Sequence, residues 1–250
     1  MGRTNQRREI EEIKELVKGI DPQHSVSDRE GEFLYNAARN CTGKGVIVEI
    51  GSWKGRSTIW LGRGSKAGNK VKIYAIDPHT GSLIHRQMYG EVWTFEEFKK
   101  NIKAANVDDI VVPIVKTSEE AEKDWNDLPV EFIWIDGDHE YKAVKLDFDK
   151  WSPHLIKGGT IAFHDTTFSG PKKVVIDNIY KSRNFTDVGL IGSITFAKKV
   201  NRNSLKDRLK NRQALLKYVL FLTFVYIYEH GWYLPKPIKA LGRKIVRIIQ

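Results

Sequence analysis

From residue 45 onward, short apolar runs alternate with helical stretches, and that alternation limits the possible architectures more than any other feature of the chain. Residues 46–50, 71–76, 110–115, 132–135 and 160–163 are rich in aliphatic and β-branched side chains. Between them, residues 57–65, 94–105, 118–125 and 141–151 carry apolar positions at helical spacing. Strands separated by helices of this length are joined by right-handed crossovers, which gives a parallel sheet covered on both faces. Two later strands, 186–190 and 193–197, are separated only by Ile191 and Gly192, and predict an antiparallel finish. The expected class is α/β, with a seven-stranded, mostly parallel sheet whose final strand is antiparallel.

The flanks read differently. Ile10, Ile13, Leu16, Val17 and Ile20 make one amphipathic helix, which Asp21 and Pro22 end. A second helix starts at Ser27 or Asp28 as N-cap and runs to Asn40, with Phe33, Leu34 and Ala37 inward. The chain therefore divides into an N-terminal helical cap (1–44), a central domain (45–200) and a helical tail (201–250). A length of 250 residues suits one full α/β domain rather than two. The formal charge of +10 is concentrated in the tail, where eleven Lys or Arg face two acids, Asp207 and Glu229. A near-neutral remainder lacks a basic groove, so nucleic acid is not an expected partner. The single cysteine, Cys41, has no pairing partner, and the first thirty residues lack an apolar signal core; both predict a cytoplasmic setting.

In open α/β sheets, ligands bind beyond the carboxyl ends of the strands. The first strand ends at Glu49 and Ile50, followed by Gly51, Ser52, Trp53, Lys54 and Gly55. Gly51 allows a sharp turn close to a ligand, Gly55 lets the next helix pack on the strand, and the amides of that helix start favour an anionic group. Lys54 or Arg56 either assists there or is solvated. The second strand ends at Asp77, placed to accept hydrogen bonds from both hydroxyls of a ribose. Residues 51–56 lack the Gly-x-Gly-x-x-Gly that a dinucleotide pyrophosphate needs, so adenosine fits better than a nicotinamide cofactor.

Three motifs in order, VEIGSWKGRST over 48–58, IDGDHEY over 135–141 and GGTIAFHD over 158–165, resemble the class I S-adenosylmethionine-dependent methyltransferases. More narrowly they resemble the branch holding macrocin-type and other sugar or natural-product O-methyltransferases, with cephalosporin-hydroxylase-like proteins as relatives. The resemblance spans residues 27–199; Ser57 stands where a third glycine is common. It implies a Rossmann-like fold, S-adenosylmethionine as cofactor, and Glu49, Gly51, Ser52 and Gly55 as its loop. Asp77 would hold the ribose, Thr117 or Ser118 would sit near adenine, and Asp136 would lie at the reacting end. The related O-methyltransferases use a divalent metal such as Mg2+.

Asp136 and Asp165 end adjacent strands and would bring two carboxylates to one place, suiting such a cation. His164 or Thr166 would complete that set. Metal ligation weakens a hydroxyl proton, and His139, three residues beyond Asp136, is the candidate base. The alternative is that Asp138 caps the helix and His139 is a surface residue. A loop with His79, His85, Arg86, Met88, Tyr89 and Trp93 either covers a small hydroxylated acceptor or packs on the neighbouring helix. In the tail, Leu205, Leu209, Leu216, Leu220 and Ile227 share one face. After Pro235 and Pro237, Ile238, Leu241, Ile245 and Ile248 form a stripe beside Lys239, Arg243 and Arg247. That composition suits an anionic membrane surface, an acidic partner, the chain's own domain or a homo-oligomer contact. A non-catalytic binding protein docked through this tail is the competing reading.

Overall fold

The structure, a computed structural model, describes residues 3–21, 25–82, 86 and 90–230. Seven strands form one sheet: β1 (Val46–Ile50), β2 (Ile73–Ile76), β3 (Val111–Ile114), β4 (Val130–Ile135), β5 (Leu155–Phe163), β6 (Phe185–Ile191) and β7 (Ile194–Lys199). Their order is β3-β2-β1-β4-β5-β7-β6. Among these strands β7 alone runs against the others, paired antiparallel to both β5 and β6. The α/β class, the strand number and the antiparallel final strand are as the sequence predicts.

The described helices are α1 (Arg3–Val17), α2 (Asp28–Arg39), α3 (Arg56–Ala67), α4 (Phe95–Ala104), α5 (Ser118–Lys123), α6 (Tyr141–Trp151), α7 (Ser169–Val175) and α8 (Leu205–His230). Strand alternation divides the core between the two faces. On β1 and β4, Ile47 and Trp134 point to the face covered by α1 to α4, beside Ile13, Leu34, Trp60 and Phe98. Val48, Ile133 and Ile135 point to the other, beside Trp151, Phe163, Val174 and Tyr218. Helix α2 lies so close to α3 that a Cβ on Gly31 would fall 2.2 Å from the Trp60 ring. A capping box starts α2: the Ser27 hydroxyl accepts from the Glu30 amide while the Glu30 carboxylate accepts from the Ser27 amide.

Register aligns the strand ends. Ile50 pairs with Ile76 and Ile135, and Ile135 with Phe163. The residues that follow, Gly51, Asp77, Asp136 and His164, therefore stand in a row along one rim. Because β1 lies between β2 and β4, the chain order reverses at β1, where open sheets carry their ligands.

Some boundaries differ from those predicted. Strand β2 starts at Ile73, two residues after Val71, whose carbonyl accepts from the Ser65 hydroxyl. Strand β5 starts at Leu155, its register with β4 interrupted between Val130 and Phe132. Helix α7 and the π turn Ile176–Tyr180 after it are additional elements; Pro171 sits in the first turn of α7, where no intrahelical donor is lost. On α8, Asn211, Tyr218 and Phe221 are buried, while Leu205, Leu209, Leu216 and Leu220 face outward at 71, 61, 61 and 44% exposure. The expectations for the stripe from Ile238 to Ile248 and for His85, Met88 and Tyr89 lie outside the described residues, as does that for the side chain of Ile227. No described helix is long and apolar enough to cross a membrane.

Candidate active site

At the β1 rim the backbone turns through Gly51, whose φ is +86°, where a Cβ would lie 2.2 Å from the Asp136 carbonyl oxygen. Gly55, at φ +89°, is the N-cap of α3, and no side chain caps that helix start. Between them, the Ser52 hydroxyl is buried without a hydrogen-bond partner. Asp77 binds two loops at once: its carboxylate accepts from the Trp53 amide at 2.7 Å and the His79 amide at 2.6 Å. The acid after β2 thus stands against the bend after β1.

Glu49 lies beneath the loop, fully buried, and does not line the cavity. The Ser57 and Thr58 hydroxyls each donate to its carboxylate at 2.6 Å, fastening the first turn of α3 to β1. Burial pushes its carboxyl up to about 8, against the pull of those donors. After β3, Thr117 caps α5 through a second capping box with Glu120, and Ser118 donates to Asp147. Asp147 was missed from sequence. It occupies a position on the buried face of α6 with Val144 and Trp151, and burial raises its carboxyl to about 6.

The other end of the rim gathers acids and imidazoles. Potential ligand atoms of Asp136, His139 and Asp165 all lie within 4.8 Å of one another. His139 Nε2 is 3.0 Å from Asp165, a contact that raises the imidazole pKa. Burial opposes charge on Asp165, but His139 and His164 hold its carboxyl below the usual range. Burial pushes Asp136 up. Asp138 accepts from the His139 and Glu140 amides and so shapes the loop, whereas α6 has Glu140 as its N-cap and no side-chain cap; His139 is exposed and still reaches Asp165. Helix α7 fixes this loop from behind: a Cβ on Gly170 would fall 2.0 Å from the His139 carbonyl oxygen, and the Phe168 and His139 rings are 5.1 Å apart.

Of the two residues expected to complete the set, His164 lines the cavity, its Nδ1 3.5 Å from Asp165, and Thr166 does not. His164 turns Nδ1 to Asp136 at 2.9 Å and Nε2 toward Glu30 at 3.7 Å. Both nitrogens are thus committed to carboxylates. Burial alone would depress this imidazole, but Asp136 and Glu30 reverse the sign, and it titrates well above an ordinary histidine. Thr166 is buried and donates to the Ser193 carbonyl, away from the cavity. In the 77–94 loop, His79 is buried, with Nδ1 2.9 Å from the Thr94 hydroxyl and its ring among Phe95 and Phe98; Trp93 is exposed.

One cavity of about 910 Å³ joins these parts. It runs from Thr117, Ser118 and Asp147 past Asp77 and residues 51–54 to Asp136, His139, His164 and Asp165. Asp21, Ser27, Glu30 and Ser193 close the far wall. Glu30 and Ser193 were not anticipated; Ser27 and Glu30 show the capping-box spacing, but nothing in the sequence joins them to residue 193.

Residues 48–166 match the family model described as a methyltransferase domain. With the sheet order, that match marks residues 48–166 as similar to a methyltransferase domain on a Rossmann-like fold. An uncharacterized protein of Sinorhizobium fredii is 33% identical over 59% of this chain, which spans 16% of that protein's length. A protein of Niastella koreensis named catechol O-methyltransferase is 24% identical over 77% of each chain. The solved O-methyltransferase of Bacillus cereus in complex with SAH superposes with a TM-score of 0.53 at 21% identity, over 77% of this chain and 91% of that one.

Proposed function

We propose that the chain transfers a methyl group from S-adenosylmethionine to a hydroxyl of a small acceptor (a sugar, glycolipid or natural product), with a divalent cation such as Mg2+ assisting. The observation that carries this reading is the single cavity joining Asp77 and the 51–55 bend to Asp136, His139 and Asp165. Its volume is near the upper end of the roughly 300–1,000 Å³ usual for ligand sites. In this reading residues 45–200 are the cofactor domain, between the helical cap of residues 1–44 and the tail of residues 201–250.

The residues present fit the cofactor. Gly51, Ser52 and Gly55 would hold its methionyl part, the unpartnered Ser52 hydroxyl and the uncapped α3 start suiting a carboxylate. Asp77 would take the ribose hydroxyls, and Thr117, Ser118 and Asp147 the adenine end. Asp136 and Asp165 fit a hard cation, which when bound lowers the pKa of a ligated hydroxyl and orients it. In transfer the methyl–sulfur bond would break as the carbon–oxygen bond forms, leaving S-adenosylhomocysteine; His139 would take the hydroxyl proton, and Asp165 at 3.0 Å would stabilise the imidazolium. His164 steadies Asp136 from behind.

Isothermal titration with S-adenosylmethionine tests the reading. Binding is expected, weakened roughly 10- to 100-fold in Asp77→Ala by the loss of charged hydrogen bonds. His139→Ala should keep that affinity and lose about 10²- to 10⁴-fold in turnover. Folded protein that does not bind the cofactor ends the proposal. Binding, with His139→Ala and Asp136→Ala equal to wild type in acceptor screens, favours a non-catalytic role.

A second reading concerns the tail. The outward stripe of Leu205, Leu209, Leu216 and Leu220 on α8 is flanked along one side by exposed Lys206, Lys210 and Lys217. Apolar side chains beside a row of cations suit an anionic lipid surface at the cytoplasmic face of a membrane.

A further inference from the structure

The carboxylate of Glu30 does more than a capping box needs. Oε2 accepts from the Ser27 amide at 2.9 Å and the Ser27 hydroxyl at 2.7 Å, which satisfies the helix start. Oε1 reaches across 163 residues of sequence to the turn between β6 and β7, accepting from the Ser193 amide at 2.7 Å and the Ser193 hydroxyl at 2.8 Å. The turn is shaped to the carboxylate: at Gly192, φ is +60° and a Cβ would fall 2.5 Å from Oε1. Ser193 in turn accepts from the Asp165 amide through its hydroxyl, and its carbonyl accepts from the Thr166 amide. Beyond Glu30 lies His164 Nε2 at 3.7 Å, and His164 Nδ1 is 2.9 Å from Asp136. Glu30 itself is 6% exposed and lines the cavity.

We propose that Glu30 is a positioning residue for the reaction centre: through His164 it orients Asp136, and through Ser193 it fixes Asp165. Helix α2 is then part of the site rather than a cover over it. Side chains that hold metal ligands in place are worth about 10- to 100-fold in metal affinity, because a ligating carboxylate left to rotate must be ordered on binding. The inference rests on the proposed cation at Asp136 and Asp165, and it separates from it experimentally.

The test is titration of the full chain with Mn2+ alone, alongside S-adenosylmethionine titration and thermal unfolding, for wild type, Glu30→Gln, Glu30→Asp and Ser27→Ala. Glu30→Gln should weaken Mn2+ binding by roughly 10- to 100-fold. Its S-adenosylmethionine affinity should stay within about twofold of wild type, since Glu30 bonds to Ser27 and Ser193 and to none of the proposed cofactor contacts, and Glu30→Asp should recover part of the loss. Ser27→Ala removes the helix cap and one donor to Oε2 but leaves the Ser193 link to Asp165; it should lower the unfolding temperature and cost far less Mn2+ affinity than Glu30→Gln. Should Glu30→Gln fail to fold, Ser193→Ala, which removes one of the four donors, should show a smaller loss of the same kind. Wild type that binds Mn2+ and a Glu30→Gln that binds it equally overturns the inference alone. So does a loss of Mn2+ affinity that follows unfolding temperature across all variants. Wild type that takes no Mn2+ overturns the cation reading and this inference together, while cofactor binding still stands or falls on its own titration.

Discussion

Glu49 shows how a motif residue can serve its loop from below. Its carboxyl, ordinarily near 4.5, is raised by burial to about 8. A group raised on folding contributes stability that is fully present below its unfolded pKa and is lost as pH rises through the folded one. Between about 4.5 and about 8 the wild type should therefore lose about 1.4 kcal/mol per pH unit from this group. Glu49→Gln should lack that slope, and the difference between the two proteins in urea unfolding from pH 5 to 8 measures it; parallel profiles would contradict the assignment. Asp77, Asp136, His139 and Asp165 were legible in the sequence because each follows a strand whose end the apolar pattern marks. The sequence placed His164 at the rim with Asp136 and Asp165, but not its contact with Glu30 of α2, which is remote in the chain. Asp147 left a trace, an acid on a buried helical face. Ser193 left none, since its partner is remote in the chain.

Among the elements, the central strands were readable because a doubly covered parallel sheet demands near-continuous apolar runs. Their starts were less so: β2 begins two residues after the apolar run does, and β5 begins before a break in its register with β4 that hydropathy does not mark. Helix α7 escaped because Pro171 and Gly170 look like a break, although a proline in the first turn interrupts nothing. Gly170 has a reason of its own, the His139 carbonyl beneath it. Gly170→Ala should push α7 and the 138–140 loop apart, costing roughly 1–3 kcal/mol as an overpacked contact. Turnover should fall while S-adenosylmethionine affinity holds. Unfolding curves with cofactor titration would check this, and an unchanged variant would mean the loop yields without consequence.

On the scale of the whole molecule, ligand binding should appear as stability. S-adenosylmethionine at about a hundred times its Kd should add roughly 2.7 kcal/mol, raising Tm by about 5–10 °C for a chain of this size, whereas NAD should give no shift. The tail predicts co-sedimentation with anionic but not neutral vesicles, abolished in Leu209→Glu/Leu216→Glu and weakened when Lys206, Lys210 and Lys217 become Gln. Equal recovery from both vesicle types, or from neither, would count against lipid docking. Charge and apolar spacing made the tail's character legible, but not that Tyr218 and Phe221 are its inward side. Tyr218 also donates to the carbonyl of Thr166, the residue after Asp165. Cutting the chain before residue 205 would delete no cavity-lining side chain among the described residues, yet it would unlatch the segment on which one of the paired carboxylates stands. A shortened protein should be crippled at its chemistry by a cut made at its periphery.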